Sequence, residues 1–190
     1  MAIRSIAVSS SRHTENILNA LEAAAKTTQA MDATQAAKLV SISTAFLLSG
    51  YMTSASQNSL PLLYKQPARV SAPLFNGVYH RGAALVIPGT LVCAAAYAYL
   101  AWAVPSQRSI HAFSSCITFA ILPMTMVVMM PGIKRLLHVS DDSAEQEKVD
   151  QSGEVLRLLK AWGVQNWWRA SMTFAGAMAG LSTVVSDRSH

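Results

Sequence analysis

Between Ala33 and Ser140 the chain runs for 108 residues without one aspartate or glutamate. A water-soluble domain of that size needs charge of both signs over its surface, so this run cannot be wrapped in water on every side. It also contains long uncharged segments. Gly82 to Val104, "GAALVIPGTLVCAAAYAYLAWAV", has 23 residues and no charge, and Ile110 to Pro131 is equally clean. A helix needs roughly 20 consecutive apolar residues to cross a bilayer. Two more segments qualify: Leu39 to Leu60, uncharged but more polar, and Trp162 to Val185, interrupted only by Arg169. The sequence therefore predicts an all-α, integral membrane four-helix bundle with spans near 39–60, 82–104, 110–131 and 162–185. Residues 38–185 form the membrane domain. Residues 1–37 are a tail followed by an amphipathic helix over Thr14 to Lys38, and 186–190 are a second tail.

The net charge of +5 does not imply a nucleic-acid partner. The basic residues sit at the flanks of the apolar segments and form no stripe or binding motif; such flanks contact lipid headgroups. Cys93 and Cys116 lie inside apolar runs, as packing residues do, without metal-ligand spacing. The opening "MAIRSIAVSSSRH" has no apolar core of the kind a cleaved signal peptide carries.

Local signals set the boundaries. Pro105 stops the second span, and Pro131-Gly132 ends the third. Ser143-Ala144-Glu145-Gln146 has capping-box spacing and opens an amphipathic helix expected to run straight into the fourth span. Gly176 and Gly180, four apart, permit close approach of a neighbouring helix. Alternating span directions then gather the 61–81 and 132–160 connections on one side. That side holds Tyr79, His80, Arg81, Lys134, Trp162, Asn166 and Arg169. The two connections carry eight Lys and Arg against six elsewhere outside the spans, which favours the cytosol for this side. His111 falls at the opposite side, about 30 Å away by helical rise, too far to share a metal with His80. Pro88 and Pro123 both lie about 10 Å in from the first side. Kinks at one level would open a cavity there.

Val155, Leu159, Trp162, Asn166 and Arg169 follow each other by four, three, four and three residues, so they share one helix face. The stripe turns from apolar to polar as it enters the membrane. Two readings fit. Trp162, Trp167 and Trp168 form an interfacial belt from which Arg169 snorkels to headgroups, or Asn166 and Arg169 face inward and line a polar pocket. The spans hold no carboxylate, which excludes a carboxylate-bridged di-iron bundle. No phosphate loop, dinucleotide fingerprint, nucleophile elbow or zinc pattern is present, so no cofactor and no metal are expected.

The ordered features resemble one family. Gly50 and Pro61 close the first span. "YHRGAALVIP", with Tyr79, Gly82 and Pro88, enters the second, and "PMTMVVMMPGIKRL" closes the third. Trp162, Asn166 and Arg169 enter the fourth. Over about residues 38 to 185 the chain resembles the small four-span membrane proteins that include the fungal anthrone oxygenases. One departure is Gly132-Ile133, where the family usually carries Thr-Asn. The resemblance implies a membrane-embedded enzyme, multi-pass and in an endomembrane, that oxidises a polyketide-derived anthrone to an anthraquinone. Molecular oxygen is the co-substrate and no cofactor is needed. It implies His80 as base with Tyr79 as runner-up, and Arg169 and Asn166 holding the enolate oxygen. Trp162 and Met130 wall the rings, and Lys134 and Arg81 complete the substrate-binding set. The alternatives are a non-catalytic four-span scaffold or anchor for biosynthetic partners, and a small-molecule carrier using the same pocket.

Overall fold

The computed structural model describes residues 33–187 together with Asn19 and Glu22. Most of the expected amphipathic helix over 14–38 and most of the tail 186–190 lie outside the described residues. The chain divides into two units, residues 1–37 and 38–190, and all that follows concerns the second. Among its described residues every element is helical and there is no strand. Helix α1 covers residues 38–63, with a π-turn at Ala55–Ser59 before its last turn, Leu60–Leu63. Helix α2 is Ala68–Ala103. Helix α3 is Pro105–Asp141, with a 3-10 opening at Pro105–Gln107 and a π-turn at Thr125–Met129. The short α4 is Ser143–Ser152, and α5 is Glu154–Asp187. Both α2 and α3 are long and apolar enough to cross a membrane.

Three expected boundaries are corrected. The helix expected from Gly82 begins at Ala68. Pro67, in extended conformation, breaks the chain there, and the Asp150 carboxylate accepts from Ala68 N at 2.7 Å, satisfying one of the unpaired N–H groups at a helix start. Pro131 does not end α3, which continues to Asp141. A proline lacks an N–H and crowds the carbonyl four residues back. Pro61 and Pro131 each follow a π-turn by two residues. The residue before each proline bonds five back, Leu60 N to Ala55 O and Met130 N to Thr125 O. The ladder slips by one residue and the helix passes the proline. Third, α4 does not run into α5. Gly153, at φ 64°, ends α4, a left-handed stop that glycine adopts without penalty. The cap opening α4 is Asp142, whose side chain accepts from Ala144 N and Glu145 N, and not Ser143.

The lengthened helices create a second layer. Ala68, Ala72 and Phe75 of α2 pack with Ile133, Leu136 and Val139 of α3, Val149 of α4, and Val155 and Leu159 of α5. What reads as two connections is thus an apolar cap on one end of the bundle. A smaller cluster lies further along, built by Leu48, Met52, Val86, Ile121 and Ala170. At the far end the close approach expected at Gly176 and Gly180 is present. A Cβ at Gly176 would lie 2.8 Å from Thr118 Oγ1, and one at Gly180 would collide with the Tyr97 ring. Tyr97 is fully buried, donates to Gly176 O at 3.3 Å and stacks on His111 at 6.3 Å.

Two measurements follow from this packing. Gly180→Ala should cost about 1–3 kcal/mol through overpacking, seen as a lower unfolding temperature in detergent. Gly50→Ala, with open space at its Cβ, should leave that temperature unchanged or raise it. The cap is also tied by charge. Arg135 Nε and Nη2 meet Glu154 at 2.9 and 3.1 Å, and Nη2 meets Glu145 at 2.9 Å. Hydrogen bonds from Arg135 hold both carboxyls below the usual carboxylate range. Depressed carboxyls stabilise the fold above their unfolded pKa of about 4.3 and lose that contribution as pH falls through their folded values. The unfolding-temperature gap between the unmutated protein and Arg135→Gln should be steady from neutral pH to about pH 5. It should close in stronger acid.

Candidate functional site

The five-residue stripe of α5 is buried throughout: Val155, Leu159, Trp162, Asn166 and Arg169. Trp167 and Trp168 point outward, at 44% and 62% exposure. The tryptophans therefore split, the second and third forming an outward pair and the first facing the interior.

Asn166 fastens α5 to α1. Its Nδ2 donates to Met52 O at 2.8 Å and to Ser56 Oγ at 2.9 Å. Both acceptors lie beside the π-turn of α1. Ser49 Oγ reinforces the crossing by donating to Ala170 O at 3.0 Å. Interhelical hydrogen bonds of this kind contribute about 0.6–2 kcal/mol each in membranes. Both amide hydrogens of Asn166 are thus committed to protein. Its Oδ1 accepts from Arg169 Nη1 at 3.3 Å, so this amide oxygen is turned to the guanidinium of Arg169. Asn166 positions it.

Arg169 is 8% exposed and forms no salt bridge among the described residues. Nη1 also approaches Met129 Sδ at 3.9 Å, while Nε is buried with no acceptor. The indole N–H of Trp162 is in the same condition. Leaving a buried donor unpaired costs about 1–3 kcal/mol. Both residues line one pocket.

That pocket has about 60 Å³ open to the centres of water-sized molecules, several times what one water requires. Every long helix contributes. Tyr51, Met52 and Ala55 come from α1, and Tyr79, Gly82, Val86 and Ile87 from α2. Thr125, Met126 and Met130 come from α3, and Trp162, Asn166 and Arg169 from α5. Ile87 precedes Pro88, and Leu122 of the lining precedes Pro123, so the two interior prolines do flank one cavity. Phe75 stands edge-on to Trp162 at 5.4 Å and stacks with Tyr79 at 6.3 Å, fixing both rings from behind. Gly82 leaves room for Tyr51: a Cβ there would sit 3.3 Å from the Tyr51 hydroxyl. The pocket is lined mostly by apolar and aromatic side chains, with Trp162, Asn166 and Arg169 on its α5 side. It suits a planar ligand carrying an acceptor oxygen or negative charge.

Of the residues singled out in the sequence, Tyr79, Met130, Trp162, Asn166 and Arg169 meet here. His80, Arg81 and Lys134 do not line the pocket and are exposed. Each residue along a helix turns by about 100°, so with Tyr79 facing in, His80 and Arg81 face away and Gly82 and Ala83 return. His80 touches the Tyr79 ring edge-on at 5.2 Å, and its Nδ1 lies 3.0 Å from Asn76 O. A carbonyl only accepts, so Nδ1 donates here, and in the neutral ring the lone pair is on Nε2. Sequence reasoning missed Tyr51, Ser56 and Met129. The available signal was "TSASQNS", residues 53–59, a polar run inside an otherwise apolar span.

Replacing Asn166 by alanine deprives Met52 O, Ser56 and Arg169 of their shared partner. The expected loss is about 1–3 kcal/mol, measured by denaturant unfolding. Arg169→Ala, which removes an unpaired charge, should cost less or be neutral.

The chain matches the family model described as anthrone oxygenase over residues 75–179, more than half its length. No curated protein and no solved structure matches it.

Proposed function

The chain belongs to the anthrone oxygenase family, and from that premise we propose that its pocket binds a polyketide-derived anthrone inside a membrane and oxidises it to an anthraquinone with molecular oxygen. The observation that carries this reading is a mostly apolar, aromatic-lined pocket whose wall includes Arg169 and Trp162, each with a buried donor that has no acceptor.

An anthrone has an acidic methylene opposite its carbonyl, between two aromatic rings. Loss of one methylene proton gives an anion delocalised onto the carbonyl oxygen. Arg169 and Trp162 donate to that oxygen, and their contribution grows as its charge develops. The Tyr79 hydroxyl takes that proton as it gives up its own to the lone pair of His80 Nε2, on the exposed imidazole beside it. Trp162 and Met130 wall the rings. The delocalised anion is electron-rich enough to combine with oxygen itself, forming a hydroperoxide on the former methylene carbon. Breaking the oxygen–oxygen bond with loss of the remaining hydrogen gives the second carbonyl and one water. Anthrone plus oxygen thus becomes anthraquinone plus water, with no other reductant.

Membrane residence with α1, α2, α3 and α5 as spans is part of the proposal. It draws on the two apolar helices and on exposed apolar side chains of all four: Leu47, Leu91, Val127 and Phe174. The aqueous cap formed by the early turns of α2, the end of α3 and α4 faces the cytosol, in an endomembrane.

The protein in lipid nanodiscs, supplied with emodin anthrone and oxygen, should form anthraquinone well above the spontaneous rate. Arg169→Ala should lose about 10²–10³ in kcat, the usual loss on removing an oxyanion donor. Tyr79→Phe should lose more activity than His80→Ala, since Tyr79 alone of the two lines the pocket. No acceleration over the spontaneous reaction would sink this reading.

A further inference from the structure

The two most apolar helices do not pack evenly. Helix α2 packs against Arg108–Phe119 of α3 and again against Met130–Asp141. Between these contacts, Ile121–Met124 and the π-turn Thr125–Met129 make little direct contact with α2. The gap lies at the level of the pocket, since Leu122, Thr125 and Met126 all line it. On the α2 side the facing residues are Ala83 and Ile87. Ile87 is 43% exposed and Met126 61%, so these two side chains belong both to the pocket lining and to the outer surface. The neighbouring outer surface is apolar: Leu85, Leu91, Val127 and Val128.

The local chemistry explains why contact lapses here. Pro88 follows Ile87, and Pro123 lies three residues before Met126. Each removes a backbone donor and bends its helix. Thr125 Oγ1 donates to Ile121 O at 2.6 Å, taking up one carbonyl beside the proline. The π-turn then widens α3 before Pro131. An opening in a bilayer-facing wall needs its backbone groups satisfied from within the protein, and the helical bonds on either side of Pro123, Ala120 N to Cys116 O and Met124 N to Ala120 O, are kept.

We propose that the gap between Ile87 and Met126 is a lateral portal through which the ligand passes directly between the hydrocarbon layer and the pocket, without crossing water. The proposal rests on the reading that the pocket binds a planar ring system in a membrane. It adds a condition on what can be bound. A ligand arriving this way is uncharged, free of any carrier and bare of bulky polar groups, because a charge or sugar at the apolar mouth would be stripped of water without a partner. Its ionisation takes place after arrival, at the inner end where Arg169 stands. The step preceding this protein is therefore one that releases a free, undecorated ring system into the bilayer.

The test follows access to the pocket by fluorescence, independently of turnover. A variant carrying Trp102→Phe, Trp167→Phe and Trp168→Phe keeps Trp162, in the pocket wall, as its one tryptophan. It is reconstituted in phosphatidylcholine vesicles and mixed rapidly with vesicles preloaded with anthraquinone, a quencher that undergoes no reaction. Ile87→Phe/Met126→Phe should slow the onset of quenching at least tenfold, and Ile87→Ala/Met126→Ala should hasten it. Val127→Phe/Val128→Phe, on the same helix but outside the pocket, should leave it unchanged. Equal rates in the Ile87/Met126 pairs and in the Val127/Val128 control would overturn the portal while leaving the binding reading standing. Absence of any Trp162 quenching with the unblocked protein would overturn the binding reading, and the portal with it.

Discussion

The guanidinium of Arg169 is buried in a bundle whose spans hold no carboxylate to meet it, and the cost of that burial sets the terms for its neighbours. A cation in such surroundings is tolerable when neutral acceptors and polarisable groups surround it. Asn166 Oδ1 and Met129 Sδ do this in part. Asn166 can present its oxygen only because Met52 O and Ser56 take its two hydrogens. Those acceptors sit beside a π-turn, and the π-turn precedes Pro61. A proline in α1 and an arginine in α5, far apart in sequence, thus belong to one arrangement. Its remaining deficit is an Nε without an acceptor, on the same helix face as an indole N–H in the same condition.

Much of this was legible in the sequence because it rests on period and exclusion. The spacing of Val155, Leu159, Trp162, Asn166 and Arg169 places them on one face whatever the fold around them, and an arginine among apolar residues marks that face as the interior or the interface. The structure decides between the two by turning Trp167 and Trp168 outward and Trp162 inward. The depth match of Pro88 and Pro123 was likewise readable, since it needs only helical rise. What was not legible was the direction of individual side chains next to the stripe. His80 is chemically the more attractive base, but it follows Tyr79 by one residue and faces the other way. Composition ranks the two residues one way and helix geometry the other. The partners of Asn166 were hidden for a related reason: the sequence gives no view of Met52 O and Ser56, which come from α1.

The prolines show a second limit. Read locally, Pro61, Pro131 and the glycine after it are stops. Each helix continues because the residue before the proline bonds five back instead of four. A π-turn is rare and tends to occur at functional positions, and both of these lie against the same pocket, with Ala55 from one and Thr125 and Met126 from the other in its wall. The same device that carries the helix past a proline also shifts which side chains face inward. The prolines close to the spans' ends are therefore part of the site's construction, although neither ring lines it.

This bears on the one departure from the family pattern, Gly132-Ile133 in place of Thr-Asn. Both residues follow Pro131 on α3, beyond Met130. Ile133 is buried in the cap with Leu136 and Leu159, and the nearest atom to a Cβ at Gly132 would be Leu158 Cδ2 at 3.8 Å. Neither lines the pocket. The polar groups that face it come from α1, α2, α5 and Thr125 of α3. A polar pair at 132 and 133 would enter an apolar layer and would need partners there. In this chain that layer is instead packed by aliphatic side chains and held at its edge by Arg135, Glu145 and Glu154. The pair changes how the cap is held together and adds no side chain to the pocket lining.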